Sequence, residues 1–130
     1  MAKYLILKKR KDFLKAAKDI TYTLGNVLVQ AAFCDENEKS GFPRVGFTAT
    51  KRIGKAHYRN LTKRRLRAVC RELGRKSFMR DVDYVLVGRY NTAVCPYMKL
   101  KEETFEALRR VNGILKKRQR DNEKTLHPSD

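Results

Sequence analysis

The stretch YRNLTKRRLRAVCRE, Tyr58 to Glu72, constrains the fold more than any other part of the chain: its fifteen residues hold six cationic side chains and a spaced apolar set. On a helical wheel at about 100° per residue, Lys63, Arg67, Asn60, Arg71, Arg64 and Arg75 fall within roughly 120° of one another. Leu66, Val69, Cys70 and Leu73, with Thr62, collect in a separate arc of about 100°. A helix so divided cannot be a tail; its apolar arc must dock, and a sheet is the natural support. From Arg44 to Arg80 there are thirteen Lys or Arg and one acidic residue, Glu72. The i,i+4 counter-charges that balance an ordinary solvent-facing stripe are therefore missing, and cations so crowded call for an anion. Guanidinium suits phosphate through its paired donors.

The whole chain carries the same imbalance: 31 Lys plus Arg against 14 Asp plus Glu, a formal net charge of +17 over 130 residues. That length fits one domain with a real core, and 42% hydrophobic content argues against a disordered polymer. The partner should be a polyanion. Nucleic acid is favoured over a membrane, because no apolar run approaches the ~20 residues of a spanning helix. The N-terminal MAKYLILKKRKDF reverses the charge order of a signal peptide. Cys34, Cys70 and Cys95 are odd in number and widely spaced, as for reduced thiols in a cytoplasmic protein, and His57 and His127 have no zinc-ligand spacing.

Along the chain, Lys8 to Lys18 reads as a short amphipathic helix with Phe13, Ala16, Ala17 and Ile20 on its apolar side. NVLVQAAF, Asn26 to Phe33, and PRVGFTAT read as two strands, expected to pair as a hairpin around a loop from Asp35 to Phe42. The cationic helix is expected over Asn60 to Lys76, and DYVLVGRY, Asp83 to Tyr90, is the clearest strand. A final helix is expected over Lys101 to Lys117, with Phe105, Leu108, Val111 and Leu115 as its apolar stripe. Residues 118–130 read as a polar, unstructured tail after a single domain over 1–117. The expected fold is α/β or α+β, a two-layer sandwich of helices on a small sheet.

The helix follows a strand and a basic loop without a partner helix, which argues against major-groove DNA reading and favours RNA. Phe13, Tyr22, Phe33, Phe47 and Tyr58 are aromatics able either to fill the core or to stack on unpaired bases. Signs of independent catalysis are lacking: RIGKA is no phosphate loop, and there is no GxSxG elbow or paired carboxylate for Mg²⁺. A ribosome-associated or other structural RNA-binding protein satisfies these observations, whereas an independent protein nuclease would need a hidden metal site.

One ordered motif goes further. RVGFTATKRIGKAHYRNLTKRRLRAVCRE resembles the signature of the protein subunit of bacterial ribonuclease P, through Arg44, Gly46, Thr50, Lys51, Arg52, Gly54, Arg59, Asn60, Lys63, Arg64 and Arg67. Weaker agreement extends to KDFLKA and DYVLVGR. The resemblance implies a protein that joins a large catalytic RNA subunit in a holoenzyme that removes the 5′ leader of precursor tRNA by Mg²⁺-dependent hydrolysis, with the chemistry performed by the RNA. It also implies a left-handed crossover, against the usual right-handed rule, and one protein per RNA. By position, Lys51, Arg52, Arg59, Asn60, Lys63, Arg64, Arg67 and Arg71 would meet the catalytic RNA, and Phe13, Ala17, Leu28 and Gln30 would line a cleft for the leader. Mg²⁺ would be held mainly by RNA and substrate, with no catalytic or metal-ligating residue on this chain. The sequence departs from the family pattern at Leu61, where Arg is usual, and at Ala17 and Gln30, where some relatives carry aromatics.

Overall fold

A computed structural model describes residues 4–50 and 54–126. The elements are β1 (Leu5–Ile6), α1 (Arg10–Lys18), β2 (Ile20–Leu24), β3 (Val27–Phe33), β4 (Arg44–Ala49), α2 (Ala56–Leu73), β5 (Val82–Gly88) and α3 (Tyr97–Leu126). The strands form one mixed sheet in the order β1-β4-β5-β3-β2. All seven residues of β5 are buried, because it lies at the centre with both faces covered, which explains its unbroken apolar run.

The expected α+β class is present, with helices on both faces. Val27, Val29, Ala31, Val45, Tyr84 and Leu86 face α2 and α3, where they meet Leu66, Val69, Cys70, Leu100, Leu108, Val111 and Leu115. On the opposite face a smaller cluster joins Ala16 and Phe13 of α1 to Leu7, Leu28, Val85 and Val87. The period-two alternation of β3 feeds both clusters.

The expected hairpin between β3 and β4 does not form. β5 stands between them, antiparallel to β3 and parallel to β4. The connection 34–43 instead passes the start of β5, where the Asp81 carboxylate accepts hydrogen bonds from the backbone N–H groups of Ser40 (3.0 Å) and Gly41 (2.9 Å). A hairpin would leave β5, the most completely buried strand, at an edge. The hairpin that does form joins β2 to β3 across Gly25, whose φ of 58° suits glycine. β2 was not anticipated: Ile20, assigned to the first helix by spacing, begins this strand, and ITYTL alternates Ile20, Tyr22 and Leu24 inward with Thr21 and Thr23 outward.

The last helix begins at Tyr97 and continues to Leu126, so 118–126 is helix rather than the expected unstructured tail; residues 127–130 lie outside the described residues. Arg118 donates to Asp19 at 2.7 Å, tying the extended helix to the end of α1. Phe105 does not join the apolar stripe of α3: it is 49% exposed, while Leu100, Thr104 and Ala107 are buried beside Leu108, Val111 and Leu115.

Candidate nucleic-acid interface

Two surfaces at opposite faces of the sheet carry the expected site residues. The first is the outer side of α2. Thr62, Leu66, Val69 and Cys70 are buried, and the helix approaches β5 so closely that a Cβ on Gly88 would lie 1.9 Å from the Thr62 methyl. Docking along that line leaves Asn60, Arg64, Arg67 and Arg71 exposed, with Lys63 partly covered. Arg67 lies over the Phe47 ring of β4, 5.7 Å from its centroid, a cation–π contact that extends the cationic face to the β4 side of the sheet.

The one acidic residue of this region faces elsewhere. Glu72 accepts a 3.2 Å hydrogen bond from Lys101 and another from the Tyr97 hydroxyl, both on α3. These bonds hold its carboxyl below the usual glutamate range, while burial and then the bond to Glu72 push the Tyr97 phenol up to about 12. None of Lys63, Arg64, Arg67 and Arg71 forms an ion pair among the described residues. The start of α2 adds to the same field: Lys55 supplies no side-chain cap, and no acidic residue stands in the first turn.

Two arginines of the cationic run bond backbone carbonyls of the protein itself, Arg65 in a partly buried setting and Arg59 at the surface. Arg65 donates to the carbonyls of Thr92 and Cys95, both at 2.7 Å, and fixes the loop before α3. Arg59 is partly covered and donates to the Gly54 carbonyl, closing the turn that enters α2. Leu61, the departure from the family pattern, is half-buried one turn before Arg65 and adds no charge to the exposed face. Lys51 and Arg52 lie outside the described residues.

The second surface is the sheet face that α1 covers only in part. Strand register sets Thr23, Leu28, Val87 and Thr48 side by side across β2, β3, β5 and β4, with Thr21, Gln30, Val85 and Gly46 in the next row. Phe13 lies over that second row: a Cβ on Gly46 would stand 2.5 Å from the Phe13 Cζ, so this glycine makes room for the ring. Phe13 is half-buried and Ala17, one turn on, is exposed; with Leu28 and Gln30 they form a wall and floor. The four residues expected at a cleft lie on α1 and β3, with Phe13 and Leu28 packed in one cluster on the face away from α2. Of the other aromatics named as possible stackers, Tyr22, Phe33 and Phe47 pack on the α2 and α3 side, and Tyr58 is 43% exposed.

Sequence reasoning did not name Thr23, Thr48 and Val87, which share a row with Leu28 on this face, or Arg89 just after β5, whose guanidinium donates to the Gly25 carbonyl at 2.8 Å. Only the register of four strands places them together. Arg44, part of the family motif, is not a surface cation. Its side chain donates to both carboxylate oxygens of Asp83, at 2.7 and 2.6 Å, and to Glu38 at 3.2 Å, while Asp12 lies 3.6 Å away. Burial pushes the Asp83 carboxyl up, and the Arg44 bonds pull it partway back.

No group of three or more His, Cys, Asp or Glu side chains able to hold a metal occurs among the described residues. The cationic face of α2, with Lys63, Arg64, Arg67 and Arg71, carries no carboxylate donor for Mg²⁺; the helix's one carboxylate, Glu72, is bonded to Tyr97 and Lys101. No helix among the described residues is long and apolar enough to cross a membrane.

Comparison with known proteins converges on one family. Residues 1–112 match the family model for Ribonuclease P. A ribonuclease P protein component from Ruegeria pomeroyi is 42% identical over 113 residues, spanning 83% of this chain and 86% of the relative. One from Paramagnetospirillum magneticum is 35% identical over 112 residues, spanning 85% and 84%. The solved ribonuclease P protein of Staphylococcus aureus has the same fold, with a TM-score of 0.66 at 22% identity over 84% of this chain and 96% of the other. That of Thermotoga maritima likewise gives 0.66 at 21% identity, over 80% and 94%. The chain belongs to the ribonuclease P protein family, whose members are the protein components of the endoribonuclease that processes tRNA.

Proposed function

We propose that α2 docks one copy of this protein on the catalytic RNA of ribonuclease P, and that the cleft beside α1 receives the single-stranded 5′ leader of precursor tRNA. The observation that carries this reading is the separation of the surfaces: an exposed helix face without ion pairs among its described cations, backed by the sheet, and a partly apolar cleft on the sheet's other side. Arg64, Arg67 and Arg71, with Lys63 and Asn60, neutralise and hydrogen-bond RNA phosphates. Phe13 and Leu28 offer apolar surface to unpaired bases, Gln30 a hydrogen-bonding carboxamide, and Arg89 a cation for the leader backbone. Held at both surfaces, the substrate is fixed relative to the RNA, so the protein contributes by positioning. Mg²⁺ held by RNA and substrate would supply charge stabilisation and an activated water at the scissile phosphate. The work takes place in the cytoplasm, where tRNA precursors are made.

The test is reconstitution at low Mg²⁺ from purified protein, the RNA subunit and precursor tRNA, omitting each in turn. Cleavage at the mature 5′ end that needs both subunits supports the proposal; cleavage by protein alone refutes it. An Arg64→Ala/Arg67→Ala/Arg71→Ala variant should bind the RNA subunit more weakly, with a salt dependence shallower by about 2 to 3 in logarithmic slope. An unchanged affinity and slope would remove α2 from the interface.

A further inference from the structure

A groove of about 550 Å³ opens between α3 and the short 3-10 turn Arg75–Ser77 that follows α2, on the side of the molecule away from the leader cleft. Phe105, Leu108 and Gly113 line it, and Lys76, Arg109 and Lys116 surround it. Phe105 is the aromatic that the apolar stripe of α3 does not absorb. A Cβ on Gly113 would meet nothing within 4 Å, so the space beside this glycine is open. The walls are fixed to one another: the Asn112 carboxamide donates to the Ser77 carbonyl at 2.9 Å and accepts from the Tyr84 hydroxyl at 2.5 Å.

The charges around the groove are uncompensated. Glu106 serves both Arg109, at 2.6 Å, and Arg110, at 2.9 Å, so one carboxylate faces two guanidinium groups. Neither Lys76 nor Lys116 forms an ion pair among the described residues. An exposed ring and ammonium groups without ion pairs along one groove match a short stretch of single-stranded RNA, which presents flat π faces and a phosphate at each nucleotide.

We propose that this groove is a second single-stranded RNA site, separate from the α2 face and the leader cleft, which stacks an unpaired base on Phe105 while phosphates of neighbouring nucleotides along the strand reach Lys76 and Lys116. An acidic peptide would satisfy the lysines but would leave the ring without a planar partner.

The test uses the full chain and a ten-nucleotide single-stranded RNA, unrelated to any tRNA leader, carrying a photoreactive 4-thiouridine. Cross-links should map to residues 105–116. Lys76→Glu/Lys116→Glu should lower their yield by about tenfold, the scale of losing one well-held nucleotide. Gly113→Leu, which fills the groove without changing charge and replaces glycine by a better helix former, should do the same without lowering the melting temperature. Both variants should retain precursor cleavage with the RNA subunit, which separates failure here from failure of the α2 reading. Cross-links absent from 105–116, or a yield that Gly113→Leu leaves unchanged, would overturn the proposal; the second result would mean that the strand follows charge and does not enter the groove.

Discussion

Replacing Arg44 by Met keeps much of the side-chain volume but removes the guanidinium that faces Asp83, Glu38 and Asp12. Two of its bonds, at 2.7 and 2.6 Å, run to Asp83, which is 1% exposed; Asp12 is 3% exposed and its Oδ2 has no hydrogen-bond partner. Charge-assisted hydrogen bonds contribute about 1.5–3 kcal/mol each, and breaking a buried pair from one side costs about 3–5 kcal/mol. We expect a loss of about 3–5 kcal/mol at neutral pH, a large part of the ~5–15 kcal/mol that holds a domain together. The sign of the pH dependence follows from Asp83. Burial already places its folded carboxyl above the ordinary Asp value, and removing Arg44 moves it further up. A raised carboxyl favours folding in its protonated form, so the deficit should be largest at neutral pH. It should shrink as pH falls through the raised value toward the unfolded one, near 3.9. Urea unfolding of both proteins at neutral pH and at about pH 4 measures this, and Arg44→Met/Asp83→Asn should recover part of the loss. A deficit under about 1 kcal/mol at neutral pH, or lost RNA affinity with undiminished stability, would refute the structural role of Arg44.

Phe13→Ala should weaken holoenzyme binding of precursor tRNA by roughly tenfold while sparing mature tRNA, the scale of one stacked base; a defect that persists with no leader present would place the ring's role in packing on Gly46 alone. Leu66→Ala should cost about 2–5 kcal/mol by chemical denaturation, because the side chain is fully buried, and should lower RNA affinity only as the folded fraction falls. Burial pushes the Cys70 thiol well above its ordinary value, and it is 0% exposed, whereas Cys95 is partly exposed. Iodoacetamide should therefore modify Cys95 in the native protein and leave Cys70 intact until unfolding, as peptide mass mapping would report; early modification of Cys70 would contradict the packing of α2.

Local pattern was enough for the helices and for the central strand. Leu66, Val69, Cys70 and Leu73 fix which side of α2 docks, and that choice determines which of its cations face outward. The apolar run of β5 signals burial on both faces. The same logic failed for Phe105, whose spacing from Leu108 fits a core stripe; on the real helix Leu100, Thr104 and Ala107 occupy the sheet-facing arc and turn the ring outward. It failed again at 118–126, where low apolar content suggested an unstructured tail. There helix continues through Leu126, with Leu115 buried and Arg118 bound to Asp19.

The sequence by itself determined that the chain must meet a polyanion, since thirteen cations against one acid between Arg44 and Arg80 cannot be balanced locally. The ordered motif also carried the family resemblance, which the comparisons establish. Only the tertiary structure decided which motif residues are available. Arg44 and Arg65 look like the other cations in sequence, yet each bonds partly buried groups of the protein: Asp83 from a distant strand, and the Thr92 and Cys95 carbonyls. Pairing order was equally hidden, because β5 enters between β3 and β4 from 49 residues after β3 ends (Val82 against Phe33), and that insertion creates the row Thr23, Leu28, Val87 and Thr48. Hydrophobic periodicity reports which face of an element is buried; it carries no information about which distant element will cover it, and the cleft is made of that second kind of information.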